Sequence, residues 1–196
     1  RTAKQGIDVR CLFSVTINQY HHRNVRARIS MANENYEIIK KANAFKGYFS
    51  VERYTLKHRL FDEGWSGEFT REVFERGHAA SVVLYDPLLD NLVLIEQFRP
   101  GAVAAAASPW FGDDFSPWLV ETVAGIIDKG ESPEGVAIRE AKEEAGCEVS
   151  ALIPVCHYLV SPGGSSESMF IFCGRVDSTK VGGHHGNAAE NEYTNA

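Results

Sequence analysis

Between residues 131 and 146 the chain reads "ESPEGVAIREAKEEAG", which crowds Glu131, Glu134, Glu140, Glu143 and Glu144 around Arg139 and Lys142. At about 100° per residue, Glu140, Glu143 and Glu144 share one third of a helix circumference, beside a small apolar face of Ala137, Ile138, Ala141 and Ala145. Carboxylates four residues apart, as Glu140 and Glu144 are, destabilise an isolated helix by roughly 0.2–0.5 kcal/mol. Two chemistries fit. One is a solvated acidic face softened by Arg139 and Lys142. The other is a site for a hard cation such as Mg²⁺, which prefers carboxylate oxygens and relieves their repulsion.

Such carboxylates need a helix with defined ends. Ser132 is suited to the N-cap, Pro133 to the first turn where its missing N–H costs nothing, and Glu134 to the positive end of the helix dipole; Gly146 is the matching stop. Strand patterns flank the helix. "VERYTLKHRLF" (51–61) and "FTREVFERG" (69–77) read as hairpin partners, as do "AASVVLYD" (79–86) and "NLVLIEQFR" (91–99) across a proline-containing turn. "WLVETVAG" (118–125) reads as one strand running into the helix segment, and "SMFIFCGRVD" (168–177) as another. The stretch 100–117, rich in Ala, Gly and Pro, reads as a loop. Strands around one strong helix predict an α+β fold, an α/β/α sandwich, with a small antiparallel sheet over 36–77 that is too thin to stand alone.

Composition bounds the partners. The 196 residues carry a net charge of −6, which argues against nucleic acid or an anionic membrane as partner, because such proteins cluster Lys and Arg. Residues 1–30 carry +5 and the remainder −11. This basic segment lacks an initiator Met and an apolar stretch long enough to span a membrane; it reads as a non-native or upstream-translated extension, with an organelle transit peptide as the alternative. Cys11, Cys147, Cys156 and Cys173 form no C-x-x-C pair, which suits free thiols in a reducing cytoplasm and leaves no cysteine framework for zinc.

Spacing separates the two readings of the glutamates. Gly125, five residues, Glu131, seven residues, Arg139-Glu140, two residues, Glu143-Glu144, one residue and Gly146 reproduce the box of the Nudix hydrolases, which cleave nucleoside diphosphates linked to another moiety. Such a set of fixed identities arises by chance on the order of 10⁻⁹ per starting position. Ala141 and Cys147 depart mildly from the aliphatic positions of the box. "FERGHAASVVLYDP", "LIEQFR", "ETVAG", "SPGGSSE" and "AENE" are similar, in order and spacing, to the ADP-ribose pyrophosphatase subgroup, and Pro162 matches the proline that marks it.

This resemblance implies a Mg²⁺-dependent enzyme, with Mn²⁺ as the alternative ion, acting on ADP-ribose or a related nucleoside diphosphate sugar; a non-catalytic nucleotide-binding module is the competing reading. It implies Glu140, Glu144, the carbonyl of Ala124 and Glu192 as metal ligands, and Glu143 as an outer member. Glu190 would be the general base and Arg139 the internal counter-ion of the glutamates. Arg71, Arg99, Tyr48 and Glu167 would meet the substrate. It further implies a homodimer joined through residues 31–77, and a Nudix domain over 78–196 that ends short of the further strand and helix of the resembled enzymes.

Overall fold

Side-chain alternation builds the first sheet. In the computed structural model, which describes residues 34–187 and 193–196, β1 (Tyr36–Lys46), β2 (Ser50–His58) and β3 (Phe69–Glu75) pair antiparallel in that order. The expected hairpin forms with trimmed ends, and its register sets Arg53 opposite Glu72, where the side chains make an ion pair of 2.7 Å.

β4 (Ala79–Asp86) is the spine of a second sheet. Its nearly uninterrupted apolar run suits a strand covered on both faces. β4 pairs antiparallel with β5 (Asn91–Val93) and β8 (Val123–Ile126), and parallel with β10 (Ser168–Arg175), which pairs antiparallel with β9 (Ala151–Leu159). A parallel pair needs a long crossover, and helix α2 (Pro133–Ala145) lies within it. A third sheet has β11 (His184–His185), β12 (Thr194–Asn195), β6 (Ile95–Phe98) and β7 (Trp118–Glu121) in that order. The α+β expectation holds.

Three local expectations are corrected. "NLVLIEQFR" divides at Leu94 into β5 and β6, and "WLVETVAG" divides at Thr122 into β7 and β8, so each run changes sheets midway. Apolar runs conceal this because both sheets bury the same residue types. The break is nonetheless held: the Ser81 hydroxyl lies 2.8 Å from the Thr122 hydroxyl and donates to the Val123 carbonyl at 3.0 Å. The segment 100–117 opens with a short helix, α1 (Pro100–Ala105), with proline in its first turn.

α2 packs against β4, β8 and β10 of one sheet and β11 and β12 of another. Val136, Ala137, Ala141 and Ala145 join Val82, Leu84, Ile95, Val123 and Phe172 in the core. Ile138, expected on this face, is exposed and Val136 takes its place. The buried flank is therefore Val136, Ala137, Ala141, Glu144 and Ala145, and Glu140, half-buried at its edge, lies over Gly125 of β8. Among the described residues no helix is long and apolar enough to cross a membrane.

Candidate active site

The helix is built as its ends foretell. Ser132 Oγ accepts from the Gly135 N–H at 3.1 Å, and Gly146 closes the helix in the left-handed conformation at φ 64°. Its inward stripe meets β8 closely. Glu144 is 2% exposed, and one carboxylate oxygen accepts the Ala124 N–H at 3.1 Å. Glu140 lies over Gly125, where a Cβ would sit 1.8 Å from Glu140 Oε1; only the bare backbone of glycine admits the carboxylate.

Arg139 gathers the remaining acids. Its Nε donates to Glu131 Oε1 at 3.1 Å, and its Nη1 donates to Glu140 at 2.8 Å and Glu143 at 2.9 Å. Burial works against this cation, but the hydrogen bond with Glu131, the charge of Glu140 and the hydrogen bond with Glu143 outweigh it and raise its pKa. In return the Arg139 hydrogen bond, with the Asp128 N–H, holds the Glu131 carboxyl below the usual carboxylate range.

Arg139, Glu140, Glu143 and Glu144 form one wall of a cleft of about 1490 Å³. The sheets bring Tyr48, Arg99 and Glu167 to the same cleft as Ala124, Arg139, Glu140, Glu143 and Glu144. Tyr48 is 89% exposed and sets its ring edge-on to Phe49. Arg99 is gripped by Glu121, with contacts of 3.0 Å from Nε and 2.8 Å from Nη2. Glu167 is nearly buried and lies 3.3 Å from Arg76 Nη1. The "SPGGSSE" loop that carries it is tied to β3, because the Phe74 N–H donates to the Gly164 carbonyl at 2.8 Å and the Ser166 N–H to the Phe74 carbonyl at 3.2 Å.

Arg71 is not on this wall. It is exposed, its guanidinium stands 5.1 Å from the Phe69 ring centre, and Nη1 donates to the Thr70 carbonyl. Glu190 and Glu192 lie outside the described residues. Sequence reasoning passed over Arg76, Glu121 and Tyr158, all of which line the cleft. Arg76 was detectable, since it follows the last residue of β3 immediately before Gly77, whose φ of 88° turns the chain.

The donor set suits a hard cation. Glu140, Glu143, Glu144 and the Ala124 carbonyl offer only oxygen on one rim. Among the described residues no three Asp, Glu, His or Cys side chains converge as a complete cage. Mg²⁺ does not require one, being held typically by one or two carboxylates together with water and substrate phosphate.

Comparisons with known proteins accompany this geometry. Residues 75–194 match the family model of the NUDIX domain. The chain is 46% identical over 164 residues to the ADP-ribose pyrophosphatase of Escherichia coli K12, covering 84% of this chain and 75% of that protein. It is 42% identical over 161 residues to the ADP-ribose pyrophosphatase of Haemophilus influenzae, covering 82% and 72%. A GDP-mannose pyrophosphatase of Yersinia pestis is 35% identical over 127 residues, 65% of this chain and 60% of that one. The fold resembles the crystal structure of an ADP compounds hydrolase, with a TM-score of 0.53 and 22% identity, over 74% of this chain and 70% of that one.

Proposed function

The chain belongs to the NUDIX domain family, and from that membership we propose that it is a metal-dependent pyrophosphohydrolase converting ADP-ribose and water to AMP and ribose 5-phosphate. One observation carries the reading: the glutamates of α2 face, across a single cleft, the arginine, aromatic and acidic groups that a nucleoside diphosphate sugar needs.

Glu140, Glu144 and the Ala124 carbonyl would hold Mg²⁺, with Mn²⁺ as a substitute, and Glu192 would complete the set. When bound, such an ion offsets the charge of the pyrophosphate oxygens and acidifies a water for attack. The protein does the rest. Arg139 keeps Glu140 and Glu143 apart from one another's charge and fixes their rotamers. Glu190 is the base that takes the proton of the attacking water, since a carboxylate bound to metal has its basicity lowered. Arg99, oriented by Glu121, presents a guanidinium fork to the phosphates. Tyr48 stacks on the adenine, and Glu167 accepts hydrogen bonds from ribose hydroxyls.

A homodimer in the cytoplasm belongs to the same reading. The apolar side chains of Tyr36, Ile38 and Phe45 stand exposed on β1, and Arg71 lies outside the cleft of a single chain, so a second copy is the means by which it reaches substrate. Residues 31–77 would then serve as the dimerisation element and 78–196 as the hydrolase domain.

The test is hydrolysis of ADP-ribose by the purified chain in Mg²⁺, beside EDTA and a panel that includes GDP-mannose. AMP release abolished by EDTA and strongest with ADP-ribose supports the proposal. Faster cleavage of GDP-mannose overturns the substrate assignment. A folded protein that binds these compounds and cleaves none is a binding module instead.

A further inference from the structure

α2 ends in the turn that carries the exposed Glu143 and the buried Glu144. The last four carbonyls of a helix have no partner within it and must find others or fray. Here the Lys142 carbonyl takes the Gly146 N–H at 3.1 Å, an ordinary helix closure. The next two are satisfied from far along the chain. The Gly186 N–H donates to the Glu143 carbonyl at 3.2 Å, and the Thr194 hydroxyl donates to the Glu144 carbonyl at 2.8 Å.

Thr194 is rigidly mounted. It is 0% exposed, pairs with His185 across β11 and with Gln97 across β6, and so belongs to the sheet that also carries Arg99 on the strand edge. Its hydroxyl grips the peptide unit of the residue whose carboxylate accepts the Ala124 N–H. A buried carbonyl accepts this contact in place of water, so no solvent molecule substitutes when the hydroxyl is removed.

We infer that Thr194 is a positioning residue for Glu144, fixing the last turn of α2 so that the Glu144 carboxylate is held at the rim of the cleft. The inference rests on the metal-dependent hydrolase reading for its consequence in turnover, but the contact it describes is independent of catalysis. A displacement of about 1 Å at a reacting centre costs on the order of 10²-fold in rate. Loss of one anchor, with Gly186 retained, is expected to cost less.

The experiment compares Thr194→Val, which keeps the shape and removes the hydroxyl, with Thr194→Ser, which keeps the hydroxyl and removes the methyl. Should Thr194→Val not fold, Thr194→Ala takes its place. Two quantities are read well below the melting temperature. One is kcat and KM for ADP-ribose over a Mg²⁺ titration; the other is exchange of the Ala124 amide, followed by NMR without metal or substrate. The expected result for Thr194→Val is a fall in kcat of about tenfold, a rise in the Mg²⁺ needed for half-maximal rate, KM within about twofold, and Ala124 exchange faster by about tenfold. Thr194→Ser is expected to keep all four near their wild-type values. A purely structural role would lower the melting temperature and leave the Ala124 amide and kcat as they were, which overturns the inference; so does a Thr194→Ser protein as impaired as Thr194→Val. If the wild-type chain releases no AMP, the hydrolase reading has failed, and the Ala124 amide still decides whether Thr194 positions Glu144.

Discussion

Replacing Gly125 by alanine should separate catalysis from stability. A Cβ at this position would stand 1.8 Å from Oε1, 2.3 Å from Cδ and 2.5 Å from Cγ of Glu140. Non-bonded heavy atoms settle at about 3.5–4.0 Å, so the carboxylate must retreat by about 1.5 Å or more. The nearest obstruction is the Glu140 side chain from Cγ outward and not a backbone atom, and Gly125 is not among the glycines with positive φ, so the backbone is expected to accept alanine and keep its pairing with Ala80 once that side chain changes rotamer. Loss of unfolded-state freedom contributes about 0.4–1 kcal/mol in favour of the variant, offset by weakening of the Arg139–Glu140 contact at 2.8 Å. The melting temperature is therefore expected to change little. Activity is not spared if Glu140 holds the metal as proposed, because a misplacement of about 1 Å costs on the order of 10²-fold. The assay is steady-state AMP release from ADP-ribose across Mg²⁺ concentrations, with a thermal melt of the same sample. A Gly125→Ala enzyme with wild-type kcat and wild-type Mg²⁺ dependence would refute the role given to Glu140.

Three further outcomes are expected. Glu144→Gln keeps an oxygen for the Ala124 N–H while removing the charge, so turnover should vanish with the fold intact; a wild-type rate at saturating Mg²⁺ would show that Glu144 is no ligand. Glu190→Gln is expected to lower kcat by roughly 10²–10⁴-fold with substrate affinity little changed, as removal of a general base does; an unaltered kcat would move that role to another acid. Acid stability should depend on Asp86. Hydrogen bonds from the Ser178 N–H and hydroxyl, and then from the Leu88 N–H, lower its pKa from 3.8 to about 2. The folded value lies below the unfolded one, so this stabilisation is complete above about pH 4 and is lost as pH falls through about 2. Asp86→Asn should flatten the melting temperature over that window, and a curve parallel to the wild type would remove Asp86 from the account.

Signals that lie within a few residues of one another were legible without a structure. Ser132, Pro133 and Gly146 bound the helix because capping is local chemistry, and the structure agrees to the residue. The spacing from Gly125 to Gly146 identified the family, which the match over residues 75–194 shows independently. The hairpin over 51–77 was readable from alternation, and the one expected over 79–99 from β-branched runs across a proline turn, of which residues 91–93 pair with β4. The buried flank of α2 was legible in Ala137, Ala141 and Ala145, but its margin was not, because Val136 and Ile138 are both apolar and only the placement of the sheets decides between them. The breaks at Leu94 and Thr122 were hidden for the same reason: a run of apolar residues records burial but not which sheet does the burying. The convergence of Tyr48, Arg76, Arg99 and Glu167 on one cleft, and the Thr194 contact with the helix end, join residues far apart in the chain. Pairings of that kind depend on sheet order and register, which arise only when the whole chain closes its core. Sequence alone thus determined the carboxylates and the helix that spaces them, and tertiary structure alone decided what they face.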